Sequence, residues 1–351
     1  MILLLQEDKE RTMKKDYIAA PFQIASCEEP MPVINEDQVL LKVMCVGICG
    51  SDSHTYHGKH PTRNKFPLDF GHEVSGVIVE VGKNVKGYAV GERVTVEPQK
   101  YCGHCPACLG GYFNVCERLK VTSVFFREYA AVDSYLLHRC PQDMSFEKLA
   151  LVEPVAVAVA SVDRVDCRGT RVCVLGAGTI GNLIAQVALH SGAKDVMVTD
   201  IIDKKLAYAK RCGIPHCVNT KETPLKDAIL TSFGPEMADI IIDAAASGRG
   251  FADMIEAARP RSEIVITGSY KEPVSFDVTR IQRREISMIG HFMYVRKHFE
   301  RAIDMLYRNE LYTEGFVAKR FDLDHMQEAM EYIDNNPADV MKTMCVVAGE
   351  K

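Results

Sequence analysis

Four cysteines, Cys102, Cys105, Cys108 and Cys116, fall in one short stretch with Gly103, Pro106, Gly110 and Gly111 supplying turns between them. Thiolates at C-x2-C-x2-C-x7-C spacing can close a tetrahedron on zinc, and a metal held by four protein sulfurs braces a loop but has no position left for a reactant. The competing reading is a set of unconnected surface thiols. His104 lies between two of the sulfurs and is expected to face solvent. A sparser set offers different chemistry: Cys49 in Gly47-Ile48-Cys49-Gly50-Ser51-Asp52, His72-Glu73 after Gly71, and Glu153 before Pro154. A catalytic zinc takes about three mixed protein ligands and keeps one position open, and these residues can supply them. Taken singly, a His or a Glu here is more often a structural or solvated side chain, so spacing alone does not decide.

A third set binds phosphate rather than metal. Gly176-Ala177-Gly178-Thr179-Ile180-Gly181 follows an apolar run and precedes a helical pattern, and Asp200 ends the next apolar run. In that setting Gly176 permits the tight turn, Gly178 lets a pyrophosphate approach the backbone at a helix N-terminus, and Gly181 lets helix and strand pack closely. Asp200 is placed to accept from both adenosine ribose hydroxyls and to repel a 2′-phosphate, which favours NAD over NADP. The alternative is a glycine turn with no nucleotide.

The elements that must hold these groups change character along the chain. From Gln38 to about Val96, short β-rich runs (39–43, 74–81, 93–96) punctuated by glycine predict a twisted β domain. From Thr170 the rhythm becomes strand, glycine turn, helix: strands are predicted at 171–175, 196–199, 240–242 and 264–266, with a helix over 182–191. That alternation is the βαβ pattern of a parallel sheet, so the second domain is α/β. A helix over 298–309 and a closing strand at 344–347 suggest that the tail returns to the first domain.

Composition narrows the partners. The 351 residues carry 42 Lys+Arg against 47 Asp+Glu, a net charge of −5, with neither sign in a long block. Nothing there resembles a nucleic-acid or membrane footprint, so the partners expected are small and uncharged, a small-molecule substrate, or other copies of the chain. The apolar start (residues 1–5) is too short for a secretory leader, and the run 149–162 is broken by Glu153 and Pro154. Thirteen cysteines, an odd number, argue for a reducing, cytoplasmic setting. Met13-Lys14-Lys15 reads as a second possible start, which would make residues 1–12 an extension.

Together these motifs resemble the zinc-dependent medium-chain alcohol dehydrogenases, in particular their sorbitol (polyol) dehydrogenase-like branch. Gly71-His72-Glu73-x2-Gly76-x5-Gly82-x2-Val85 fits that family's zinc signature, and the four-cysteine loop and glycine motif follow in the family's order. The resemblance implies an α/β protein with a GroES-like catalytic domain over 1–156 that carries both zinc sites, a Rossmann doubly wound parallel-sheet domain over 157–296 that binds NAD(H), and a return to the first domain over 297–351. It implies two zinc ions per chain: a structural one on the four cysteines and a catalytic one on Cys49 and His72, with Glu73 or Glu153 as third ligand. Asp52 matches the carboxylate that orients the ligand imidazole. Ser51 and His54 match a proton relay, with a cofactor ribose hydroxyl between them, while hydride leaves the carbinol carbon for the nicotinamide. Lys205 matches a basic residue near the adenosine, and Thr267-Gly268-Ser269 a strand end passing the nicotinamide. A homodimer or homotetramer is implied as well.

Two departures bear on substrate. The segment after Cys116 is shorter than in related sequences and reads Val124-Phe125-Phe126-Arg127, and Met293 in Gly290-His291-Phe292-Met293-Tyr294 stands where sorbitol dehydrogenases tend to have arginine. With Tyr56, the side chains Phe125, Phe126, Phe292 and Met293 are expected at the substrate pocket. Such a pocket loses donors for a polyhydroxylated chain, so a bulky apolar secondary alcohol such as a hydroxysteroid is an alternative to a polyol; the same apolar side chains could instead be core. A zinc-free quinone reductase and a non-catalytic nucleotide sensor are the remaining readings, and both metal sets weigh against them.

Overall fold

A computed structural model describes residues 11–349, which divide into two units: residues 11–153 with 315–349, and residues 154–314. The first is built round strand Gln38–Ile48, which is buried along nearly its whole length because its apolar residues run almost unbroken. It pairs antiparallel with Glu73–Val81, Tyr129–Asp133 and Lys342–Val346, and the sheet continues through Arg93–Val96 to Leu137–Arg139 on one side and to Val317–Phe321 on the other. Its register with Glu73–Val81 shifts between Leu40 and Leu41 and again between Val43 and Cys45. Such irregularities bend and twist a strand, which suits one that serves several partners. Val39, Leu41, Val43, Val46, Phe70, Val74 and Ile78 fill the core, and helix Met326–Asn335 adds Met326, Ala329 and Met330, the i, i+3, i+4 stripe of a one-sided helix. A hairpin, Thr12–Ala20 with Gln23–Pro30, precedes this sheet. Of the supposed extension, residues 1–10 lie outside the described residues, and Thr12 is already strand.

The second unit is a six-stranded, all-parallel sheet in the order His216–Asn219, Asp195–Asp200, Arg171–Leu175, Ile240–Asp243, Glu263–Ile266, Ser287–Gly290. The runs Val172-Cys173-Val174 and Ile240-Ile241-Ile242 are fully buried, as strands covered on both faces require. The first strand of this unit in the chain, Arg171–Leu175, sits mid-sheet where the order reverses, so its C-terminal end opens onto the crevice in which such sheets bind ligands.

The division differs from the sequence-based boundaries at both crossings. The return to the first unit comes at Gly315 rather than at 297. Helix Arg296–Tyr307 buries Phe299, Ala302, Met305 and Leu306, and Arg301 donates to Asp163 Oδ1 and Ser191 Oγ, each at 2.7 Å. Farther on, the Tyr312 N–H donates to Gln186 Oε1 at 2.6 Å, and Tyr208 Oη donates to the Glu314 carbonyl at 3.2 Å. These bonds fasten residues 296–314 to the parallel-sheet unit. The first crossing falls after Glu153, not after 156.

Candidate metal centres and nucleotide site

Helix Gly50–Tyr56 starts from Cys49, whose extended backbone caps it, and strand Glu73–Val81 begins directly after His72. One buried carboxylate ties these two starting points together. Asp52 Oδ2 accepts from the Cys49 N–H at 3.0 Å and Oδ1 from the Gly71 N–H at 3.2 Å, while His72 Nδ1 faces Oδ1 at 3.7 Å. Asp52 thus fixes the backbone on both sides of the site as well as facing the imidazole, a wider role than the sequence suggests. Burial alone would raise its pKa, yet the His72 ring and the two N–H groups hold it below the ordinary value. Burial would likewise lower the pKa of His72, but Asp52 and Cys49 raise it well above the usual range. The field at this imidazole is that of a cation site.

Donor atoms of Cys49, His72 and Glu73 lie within 4.8 Å of one another. Glu73 reaches this position because its cross-strand partner is Gly47, where a Cβ would stand 2.0 Å from Glu73 Oε2. Lys342 holds the carboxylate: its Nζ donates to both Glu73 oxygens at 2.7 Å and to the Ile48 carbonyl at 3.1 Å, and the side chain is 3% exposed. Sequence reading missed Lys342, although a lone lysine in the apolar run Met341-Lys342-Thr343-Met344-Cys345 was the available signal. Glu153 is buried in the first turn of helix Val152–Val162, and its charge contributes to raising the Lys342 pKa; it does not join the three clustered donors. Ser51 and His54, three residues apart on helix Gly50–Tyr56, share a partly exposed face.

The aromatic residues expected at the pocket require correction. Phe125 and Phe126 are 0% and 1% exposed and belong to the sheet core, where Phe126 packs on Phe70 with ring centres 4.2 Å apart. Tyr56 is also core, its Oη donating to the Phe22 carbonyl at 3.1 Å and accepting from Gln327 Nε2 at 2.9 Å. Because the Phe125 N–H bonds the Gly71 carbonyl at 3.2 Å and a Cβ on Gly71 would meet Phe126 at 2.6 Å, these rings back the His72 segment instead of lining a pocket. Phe292 is exposed, and Met293 is partly exposed with φ of 53°.

The four-cysteine loop passes a geometric test for zinc. A tetrahedron with Zn–S bonds of about 2.3 Å has S···S edges of about 3.8 Å, and the sulfur pairs Cys102–Cys108, Cys105–Cys116 and Cys116–Cys102 stand at 3.9, 3.9 and 3.6 Å. N–H groups of Cys102, Cys105 and Arg118 point at these sulfurs. The Cys108 N–H helps bring Cys105 down to about 6, whereas burial pushes Cys108 up to about 12. His104 is exposed, with Nδ1 2.8 Å from the Cys102 carbonyl, as expected of a non-ligand.

In the parallel-sheet unit Gly176 has φ of 92°, the Gly178 backbone caps helix Thr179–His190, and Thr179 and Ile180 form its first turn. A Cβ on Gly181 would sit 1.8 Å from the Gly176 carbonyl oxygen, so only glycine allows this crossing of turn and helix. Asp200 closes the loop, accepting from the Ala177 N–H at 2.8 Å through Oδ2 and from those of Ile201 and Ile202 through Oδ1. Lys205 is on the first part of helix Asp203–Arg211. Thr267 and Gly268 follow strand Glu263–Ile266, both N–H groups bonding the Asp243 carbonyl, with Ser269 exposed beyond them.

Residues 35–142 match the family described as alcohol dehydrogenase GroES-like domain, and residues 179–308 that described as zinc-binding dehydrogenase. Sorbitol dehydrogenase of Bacillus subtilis is 31% identical over 313 residues, 86% of this chain and 88% of that protein. A 2-dehydro-3-deoxy-L-galactonate 5-dehydrogenase of Pseudoalteromonas atlantica is 31% identical over 305 residues, covering 86% and 89%. A solved structure described as short chain alcohol dehydrogenase (rspB) from Escherichia coli, complexed with NADH, superposes with a TM-score of 0.88 at 32% identity over 95% of this chain and 99% of that one.

Proposed function

The chain belongs to the zinc-type medium-chain alcohol dehydrogenases, and from that premise we propose an NAD(H)-dependent enzyme that interconverts a secondary alcohol, of the polyol kind, with its ketone. The observation that carries this reading is the convergence of one thiol, one imidazole and one carboxylate, Cys49, His72 and Glu73, beside a separate four-cysteine cluster. Three mixed donors leave a place for a substrate oxygen, whereas four sulfurs do not.

When bound, zinc supplies the Lewis acidity that brings an alcohol's pKa toward neutrality, and NAD⁺ the hydride acceptor. The chain's residues do the rest. Asp52 and Lys342 hold His72 and Glu73 in place. Ser51 carries the alcohol proton outward and His54 exchanges it with solvent. Asp200 reads the adenosine ribose, and the apolar Ile201 beside it offers no cation for a 2′-phosphate, which supports NAD over NADP. Lys205 and the Thr267-Gly268-Ser269 turn complete the cofactor site.

The assay is NADH formation from a panel of sugar alcohols and of cyclic and steroid secondary alcohols, with NADP⁺ as control. NAD⁺-linked, zinc-dependent turnover of polyols is expected; undiminished activity after metal removal, or a preference for NADP⁺, would overturn the reading. The burial of Phe125 and Phe126 withdraws the main support for a hydroxysteroid, leaving Phe292 and Met293 as its apolar residues.

Strand Ser287–Gly290 is the last of its sheet and leaves Ser287 and Met288 exposed. An open edge of this kind is a template for a second copy, so a homodimer is part of the proposal. Light scattering at micromolar concentration is expected to give twice the chain mass or a multiple of that; a monomer would exclude it. All thirteen cysteines are free, and no helix among the described residues is long and apolar enough to cross a membrane.

A further inference from the structure

Asp243 ends strand Ile240–Asp243 at the crevice edge of the parallel sheet and is 2% exposed. Its carbonyl and both carboxylate oxygens are in use, and the donors come from two different loops. Oδ1 accepts from the Ala245 and Ala246 N–H groups at 2.9 and 3.1 Å. The backbone carbonyl accepts from the Thr267 and Gly268 N–H groups at 3.0 and 2.8 Å. Oδ2 accepts from the Tyr270 hydroxyl. Burial and the neighbouring carboxylate push the Tyr270 phenol well above its ordinary range, so it stays a donor.

The first of these loops touches the glycine motif and the second touches the first. A Cβ on Gly176 would stand 3.2 Å from Ala245 Cβ, and one on Gly268 would stand 2.7 Å from Ala246 Cβ. Ala246 has φ of 50°, a left-handed backbone that alanine keeps only where its surroundings over-determine it, and the Asp243 carboxylate supplies that constraint. The 267–269 turn has an anchor of its own at the near end, where Thr267 Oγ1 lies 2.6 Å from the buried Ser161 Oγ. From Ser269 through residue 273 the chain is exposed except at Tyr270, whose ring meets Phe251 edge-on with centres 5.8 Å apart. Tyr270 is therefore where the far end of the turn is drawn back to the sheet.

We propose that Tyr270 is a positioning residue for the nicotinamide end of the dinucleotide: its hydroxyl, acting through the Asp243 carboxylate, fixes the Thr267-Gly268-Ser269 turn relative to the phosphate turn at Gly176. The inference rests on the NAD(H) reading above and adds to it a residue outside the glycine motif. Its effect is confined to one end of the cofactor. The phosphate turn is held by bonds of its own, from the Gly176 N–H to the Thr199 carbonyl and from the Ala177 N–H to Asp200, and none of them involves Tyr270. Removing the hydroxyl takes a donor from a buried carboxylate oxygen, a charge-assisted bond of the stronger class, and releases the far end of the turn alone.

The test titrates NADH and, separately, ADP-ribose, which lacks the nicotinamide, into zinc-loaded wild type and Tyr270→Phe, read by calorimetry. Phenylalanine keeps the ring against Phe251 and loses only the bond to Asp243. NADH binding is expected to weaken at least about tenfold and ADP-ribose binding to change by less than about twofold, because a bond of this class acts here at one end of the cofactor. A merely structural role would move both nucleotides together or neither. NADH affinity unchanged in Tyr270→Phe, or ADP-ribose weakened as much as NADH, would overturn the inference alone. Failure of the wild type to bind either nucleotide would remove the NAD(H) reading beneath it.

Discussion

Replacing His72 with alanine is expected to lower kcat/KM by at least about 10³-fold and to take bound zinc from about two ions per chain to about one. The imidazole is 8% exposed and stands between Asp52 and the donor atoms of Cys49 and Glu73. The substitution should leave the fold intact, because Asp52 keeps its bonds to the Cys49 and Gly71 N–H groups and the Phe125–Phe126 backing is untouched. The remaining zinc belongs to the four-cysteine loop, whose sulfur spacing owes nothing to His72. Metal analysis, circular dichroism and NADH formation together check this. Two zinc ions per chain in the variant, or near-normal turnover with one, would show that Cys49, His72 and Glu73 do not form the catalytic site.

Much of this was legible in the sequence because its logic is local. The sulfur ligands lie within one loop, and the glycine motif states its strand, turn and helix in consecutive residues; the strands predicted at 171–175, 240–242 and 264–266 match those found to within a residue or so at either end. What escaped depends on register between distant segments. Lys342 meets Glu73 only because Lys342–Val346 and Glu73–Val81 flank the same strand, with Gly47 between them. Phe125 and Phe126 look like pocket residues when their neighbours are unknown and become core once Phe70 and Gly71 are placed against them. The return at Gly315 was hidden for a similar reason: an amphipathic helix such as Arg296–Tyr307 does not announce which of two cores it covers, and here Asp163, Ser191 and Gln186 decide it.

Lys342→Met should destabilise the zinc-free protein by about 3–5 kcal/mol, the usual cost of removing one partner from a buried ion pair. The ammonium is the Glu73 carboxylate's partner at both oxygens and also serves the Ile48 carbonyl, so its loss strands a buried charge and a buried acceptor at once. Methionine approximates the stem's volume, which makes the lost charge rather than a cavity the dominant change. Zinc provides an internal control. If Glu73 is the third ligand, the metal neutralises the stranded carboxylate, and the deficit in denaturant unfolding should shrink in the zinc-loaded form. If Glu153 is the ligand, Glu73 stays uncompensated and the deficit persists with metal bound. The pair of unfolding curves, with and without zinc, therefore reports the third ligand without recourse to activity. A stability equal to wild type in both forms would mean that the Lys342–Glu73 pair contributes nothing, contrary to its burial and its two 2.7 Å contacts.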